Sequence, residues 1–286
     1  MTSAPSTFNV AAQARRTATA AASRAGIVVR EVETISDLKL VSALFEAVWG
    51  RSPEGVPLGS ELMRSLVHAG GAATAAYDDT HELVGAAVLV LAEPVGATYS
   101  LIAATCPGSS DRGIGYALKQ HQRAWALDRG LDTMSWTFDP LVGRNARFNL
   151  TKLGAEAHEY EQSFYGLMTD AINAVDDSDR LVARWSLSSP RAVAASERTA
   201  PDPGEPEYDD SDVLAVGPDG RPVGVQAGPS LWCRVPTDIV ALRRSNPAEA
   251  AAWRQSVRNV LTAALASGRV ATGMTRSGWY HLTQEG

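Results

Sequence analysis

The sequence predicts an α/β fold with a mixed sheet, followed by a C-terminal α/β segment. Three observations predict the class. Between residues 27 and 188, strand-length β-branched or apolar runs alternate with stretches that place apolar residues three and four apart. A Gly-Ile-Gly sequence at 113–115 starts a helix directly after an apolar strand. Proline and acidic residues then dominate from 189 to 211 before regular patterning resumes.

In order along the chain, residues 1–26 read as a disordered or loosely helical tail, rich in Ala, Ser and Thr and free of acids. Ile27 to Glu31 alternates as a strand, and Ser36-Asp37 precedes a helix carrying Leu40, Val41, Leu44, Phe45 and Val48 up to Trp49-Gly50. A second helix over 58–68 ends at Gly70-Gly71. Strands over 73–77 and 83–91 flank the turn residues Asp78 to His81, and 99–106 forms another strand. The helix from Gly113 to about Arg129 carries Leu118, Gln122 and Trp125 on one face and stops at Gly130. Residues 133–138 read as a buried strand, 144–153 as a helix stopped by Gly154, and 157–160 and 181–187 as strands.

The domain organisation that follows is a tail at 1–26, an α/β domain at 27–188, an acidic, proline-rich linker or loop at 189–211 and a C-terminal α/β segment at 212–286. In that last segment, strands at 213–216 and 222–225 flank Pro218-Asp219-Gly220, residues 231–235 form a further strand, and Asn246-Pro247 opens a helix whose stripe includes Trp253, Val257, Leu261 and Ala264.

Composition excludes several function classes. The formal net charge of -6 argues against nucleic acid as a partner, since duplex binding needs a basic face to displace counterions. Cys106 and Cys233 are the two cysteines and have no zinc-ligand spacing, so neither a metal site nor a disulfide framework is expected. The long apolar stretch at 84–106 is broken by Glu93-Pro94, which speaks against a membrane span. With no apolar leader at the N-terminus, a cytoplasmic protein is expected. Only Lys39, Lys119 and Lys152 among the 26 basic residues are lysines.

Chemistry concentrates in Ser110-Asp111-Arg112-Gly113-Ile114-Gly115-Tyr116-Ala117-Leu118-Lys119. A helix start after a glycine-containing loop exposes backbone N–H groups that attract phosphate oxygens. A dinucleotide-binding fingerprint fails, because Leu118 stands where its third glycine belongs.

Pro107 followed by Arg112-Gly113-Ile114-Gly115 resembles the loop after the fourth strand of the GNAT acetyltransferase superfamily. The similarity continues through Trp136 to Pro140 and through the helix that ends in Lys152-Leu153-Gly154. Trp49-Gly50, Gly70-Gly71 and Phe164-Tyr165-Gly166 look like one bacterial branch of predicted GNAT proteins with a C-terminal extension. The resemblance implies that 27–188 is a GNAT-like domain whose mixed, mostly antiparallel sheet is splayed at a cofactor cleft between the strands ending near Cys106 and Phe138, and that it transfers an acyl group from acetyl-CoA or another acyl-CoA to an amine. It implies that Ala104, Thr105 and Cys106 pair with the pantetheine amides, that the backbone of Arg112, Gly113, Ile114, Gly115 and Tyr116 cradles the pyrophosphate, and that Asn145 assists.

Two positions depart from the family pattern. Ser110-Asp111 replaces its first Arg/Gln-Gly and brings a carboxylate toward the pyrophosphate, and Leu150 stands where many members place a Tyr that protonates the thiolate. Tyr116, Tyr160 or Tyr165 could then supply the acid. Asp139, ending a strand, is a candidate base or a turn and cap residue, and Tyr165 is the paired catalytic candidate. Asn145 and Asn149 fall at i, i+4, and Arg144 and Asn149, with Trp49 and Trp136, are candidates to line the substrate pocket. Cys106 reads as a small buried hydrophobe rather than a nucleophile.

The expectation is therefore an acyl-CoA-dependent N-acyltransferase for a small-molecule amine, with no nucleic-acid or membrane partner and room for a homo-oligomer. The alternative is the same fold reused for a CoA-independent reaction or for non-catalytic small-molecule binding.

Overall fold

A computed structural model describes residues 7–51, 56–109, 112–166 and 177–285. Ser110 and Asp111, on which the cofactor-loop departure turns, lie outside the described residues. In chain order the elements are α1 (Thr7–Ala25), β1 (Val28–Glu31), α2 (Ile35–Trp49), α3 (Ser60–His68), β2 (Ala72–Tyr77), β3 (Leu83–Ala92), β4 (Ala97–Thr105), α4 (Ile114–Asp128), β5 (Thr133–Phe138) and α5 (Gly143–Ala146), which runs into a π-helical turn (Arg147–Lys152). There follow β6 (Glu156–Glu161), β7 (Arg180–Ser186), α6 (Pro190–Ser196), a 3-10 turn (Asp210–Asp212), β8 (Val213–Val216), β9 (Pro222–Ala227), β10 (Ser230–Arg234), α7 (Ile239–Ser245), α8 (Pro247–Ala266), β11 (Arg269–Met274) and β12 (Trp279–Gln284). The chain forms two compact units, one comprising Met1–Trp136 and Ser186–Glu197, the other Thr137–Trp185 and Arg198–Gly286.

In the first unit the strand order is β1-β2-β3-β4-β5, antiparallel except for the parallel pair β4/β5. One face of the sheet is covered by α2 and α3, where Leu38, Val41, Phe45 and Met63 pack on Ala73, Ala75, Ala86, Val88 and Ala104. The Thr34 side chain caps α2 by accepting from Asp37 N–H. On the opposite face α4 comes so close to β3 that Gly85 is required, since a Cβ there would lie 2.8 Å from Ile114 Cγ2.

The N-terminal segment is not a tail. Helix α1 buries Val10, Ala14, Ala18 and Ala21 against α4, a stripe of small side chains that lets the two backbones approach. Gln13 locks the contact: its Nε2 donates to Ser196 Oγ at 2.9 Å, and its Oε1 accepts from Arg123 Nη1 at 2.9 Å. Part of the stretch expected to be linker is likewise ordered, because Pro190–Ser196 forms α6, capped by Ser189 and burying Ala192 and Ala195.

The second unit is built on an antiparallel sheet in the order β7-β6-β11-β12-β10-β9-β8. Helix α8 packs on it through Trp253, Val257, Leu261 and Ala264, with Gly224 on β9 giving room to Val260. The π-helical turn is tied to β11, since Arg147 Nη1 and Thr151 Oγ1 both donate to Met274 O, at 2.8 and 3.0 Å. Strands β11 and β12 and helix α7 have no counterpart in the sequence reading.

Candidate functional site

The strand that carries the site is β4. It pairs with β3 along its whole length, yet its parallel ladder with β5 spans only Ala97↔Thr133, Thr98↔Met134 and Tyr99↔Ser135. Beyond Tyr99 the strand continues to Thr105 with no further β5 partner among the described residues. The β3 register also shifts there, from Leu89↔Ser100 to Val88↔Ile102, so Leu101 is a bulge residue. One edge of β4 from Ser100 onward therefore presents backbone N–H and C=O groups that the β5 ladder does not use.

Past Thr105 the chain turns, Ser109 N–H donating to Cys106 O at 3.0 Å, and re-enters regular structure at α4. Gly113 is the N-cap, in the left-handed region at φ 83°, with no side-chain capping bond. Arg112 is exposed beside it. A Cβ on Gly115 would stand 4.0 Å from Thr105 Cγ2, an ordinary contact distance, so the helix start lies beside the strand end. The helix start thus turns its first N–H groups and the positive end of the helix dipole toward an anion.

The remaining expected site residues of the first unit divide. Ile114 is buried against Gly85 and serves the packing of α4, and Ala104 faces the core under α2. The Tyr116 hydroxyl donates to Ala195 O and Ser196 O, at 3.1 Å each, which anchors α6 to α4 and removes this tyrosine as a proton donor. Cys106 Sγ donates to Leu83 O at 3.2 Å, and burial first, then Asp78, push its thiol up, so it stays protonated and inert. Trp49 is half-buried and packs on the α2/α3 core, 5.9 Å from the Phe45 ring. Trp136, on β5 just past the last ladder pair, lies under the Lys119 ammonium, Nζ 3.9 Å from the ring centroid.

Lys119 is the residue that sequence reasoning missed as a site group. It is fully enclosed on α4, its Nζ donating to Ser100 Oγ at 2.7 Å, while Ser100 Oγ donates to Gln122 Oε1 at 3.0 Å. Among the described residues no carboxylate pairs with it, and burial lowers its pKa from 10.5 to about 7. The signal was present in the sequence: one of three lysines in the chain stands beside the inward-facing Leu118, Gln122 and Trp125.

The expected residues of the second unit are arranged differently from expectation. Asp139 is buried and accepts from Arg243 Nη2 at 2.5 Å and from Arg254 Nη1 and Nη2 at 3.0 and 3.3 Å, and its Oδ1 also takes Leu141 N–H at 2.9 Å. Burial pushes its carboxyl up, but Arg254 and Arg243 outweigh that and hold it below the usual range. A base must accept a proton, and two buried guanidiniums hold this carboxylate ionised; it closes a turn through Leu141 N–H, as the turn reading expects, while the N-cap of α5 is Val142.

Tyr160 donates to Asp179 Oδ2 at 2.6 Å, a bond that helps keep it protonated, and Arg258 holds the same carboxylate at 2.7 and 2.9 Å. Of Tyr116, Tyr160 and Tyr165, the last is exposed, with its hydroxyl 3.5 Å from Thr137 Oγ1 and the Arg180 guanidinium 5.2 Å from its ring. The expected helix over 144–153 is α5 plus the π-helical turn, and its candidates do not share an environment: Arg144 and Asn145 are exposed while Asn149 is buried. Leu150 is fully buried, which places an apolar side chain where the family resemblance expects an acid.

Among the described residues no cluster of His, Cys, Asp and Glu could hold a metal ion, and no helix is long and apolar enough to cross a membrane. No family model matches the chain, and no curated protein matches it. Solved structures similar to it include an acetyltransferase described as of the GNAT family from Desulfovibrio desulfuricans, 18% identical, covering 56% of this chain and 99% of its own, at a TM-score of 0.46. A phosphinothricin acetyltransferase from Sinorhizobium meliloti in complex with AcCoA is 14% identical, covering 56% of this chain and 87% of its own, at 0.46. A GNAT family acetyltransferase from Elizabethkingia anophelis with acetyl-CoA bound is 14% identical, covering 56% and 98%, at 0.42.

Proposed function

We propose that the protein is an acyl-CoA-dependent N-acyltransferase acting on a small-molecule amine. The observation that carries this reading is the open edge of β4, which begins at the Leu101 bulge and leads through a short loop to the uncapped start of α4. An extended ligand with amide groups can lie along such an edge as a strand would, and a pyrophosphate at its far end would meet the N–H groups of α4. Pantetheine followed by a pyrophosphate has that order of chemical groups, and Gly115 beside Thr105 adds no side chain to obstruct it.

In this reading Ile102 to Thr105 bind the pantetheine amides through backbone groups, the backbone from Gly113 to Tyr116 holds the pyrophosphate, and exposed Arg112 adds charge. The backbone at the Leu101 bulge faces the acyl end and can donate to the carbonyl oxygen as charge develops on it.

The test is the unfolding temperature of the purified chain with acetyl-CoA, longer acyl-CoAs and free CoA, in parallel with Gly115→Trp. A ligand that binds only the folded state raises stability by mass action, by about 2.7 kcal/mol at a hundredfold excess over Kd. The reading expects a shift with each CoA species and its loss in Gly115→Trp, whose indole would fill the space beside Thr105. No shift from folded protein would overturn it and leave CoA-independent use of the fold.

A further inference from the structure

We propose that Lys119 is an acyl-acceptor site, so that the chain acylates itself on this buried amine when an acyl-CoA lies along β4. The proposal rests on the acyl-CoA reading above. Its geometric basis is the placement of Lys119 Nζ at the root of the open edge. Nζ is 2.7 Å from the hydroxyl of Ser100, the first β4 residue beyond the β5 ladder and the one preceding the Leu101 bulge, and it sits 3.9 Å above Trp136, the first β5 residue beyond the same ladder.

The hydrogen-bond directions leave the amine equipped to react. Ser100 gives its single hydroxyl proton to Gln122 Oε1, so it can only accept from Nζ and does not occupy the nitrogen lone pair. Enclosure without a carboxylate favours the neutral amine, with the pKa brought down to about 7, and a desolvated lysine of this kind is a nucleophile at neutral pH. A second, independent observation is the Gln122 amide. Its Nε2 is buried and has no hydrogen-bond partner, on the same terminal amide whose oxygen is engaged by Ser100. An unmet donor in this cluster suits a carbonyl oxygen, and above all one that gains negative charge during attack.

The step balances without a further reactant. Nζ attacks the thioester carbonyl carbon, the C–N bond forms and the C–S bond breaks, and the proton lost from the amine ends on the departing CoA thiol. Lys119 becomes a neutral amide that still donates one N–H to Ser100. It no longer carries a charge that burial penalises, which makes the acylated form a better fit to its surroundings than the ammonium.

The experiment uses the full chain, incubated with acetyl-CoA across a neutral to mildly alkaline pH series, with modified lysines located by peptide mass spectrometry. The chain carries its own controls, because Lys39 and Lys152 are both exposed. Lys119 is expected to gain one acetyl group roughly tenfold faster than either, with a rate that rises through neutrality and then levels, as for an amine whose pKa lies well below the ordinary lysine value. Lys119→Arg should abolish that adduct while keeping the thermal shift with free CoA. A CoA-induced shift in wild type with Lys119 unmodified, or with Lys39 and Lys152 modified first, would overturn the inference and leave the proposed function standing. The absence of any shift with CoA species would overturn the function itself.

Discussion

Replacing Lys119 with methionine should stabilise the protein, by an amount that depends on pH. The enclosed amine is neutral in the folded state down to about pH 7, whereas in the unfolded chain it takes up a proton near 10.5. Between those values the unfolded state binds more protons, so the native state loses stability as pH falls from 10.5 toward 7, and the loss levels off below that. A difference of about 3.5 pKa units, at 1.36 kcal/mol each, corresponds to about 4 kcal/mol at pH 7 and to less than about 1 kcal/mol near pH 10.

Methionine fills a similar volume and can rest on Trp136, but it leaves Ser100 Oγ without its donor, a loss of about 1 kcal/mol. Lys119→Met is therefore expected to gain about 3 kcal/mol at neutral pH, roughly 6 °C in Tm for a chain of this size. Urea unfolding of both proteins across the pH series measures it. The two stability curves should converge as pH rises toward 10. Parallel curves, or a destabilised variant at pH 7, would refute the placement of an enclosed, carboxylate-free amine under β4.

Other substitutions probe the remaining claims. Asp139→Asn leaves Arg243 and Arg254 buried beside a neutral amide and should cost about 3 to 5 kcal/mol in chemical denaturation, so any activity loss would track unfolding rather than loss of a base. Gly85→Val forces a side chain into Ile114 and Leu118 and should cost about 2 kcal/mol or more, whereas Gly96→Ala, which meets no atom within 4 Å but has positive φ, should cost about 1 kcal/mol. Deleting residues 1–25 uncovers α4 and strips Gln13 from Arg123. The truncated chain is expected to lose its cooperative unfolding transition, while a true tail would leave the transition unchanged.

The strands and helices from 27 to 161 were legible because their signals are local: alternation in β1, periodicity in α2, and a glycine pair before α4. What was not legible depended on partners distant in sequence. In α1 the inward stripe is mostly alanine, which is too weakly apolar to announce a buried face until α4 is placed against it. Asp139 ends β5 where a reactive group would be expected, and only the arrival of Arg243 and Arg254, more than a hundred positions later, turns it into a buried ion-pair centre. The Tyr116 and Tyr160 hydroxyls are likewise engaged by α6 and by Asp179, contacts that spacing does not reveal. The Gly113 helix start was readable because the need for positive φ is written in the residue itself. The parting of β4 from β5 was legible only through the family resemblance, since local pattern does not show where two strands separate.

The account's central claim is that an acyl-CoA lies along the open edge of β4 and ends at the start of α4. Amide hydrogen exchange with and without CoA tests it most directly. Slowed exchange confined to the amides of residues 101–106 and 112–116 is the predicted result. Binding accompanied by protection elsewhere, with these amides unchanged, would contradict it.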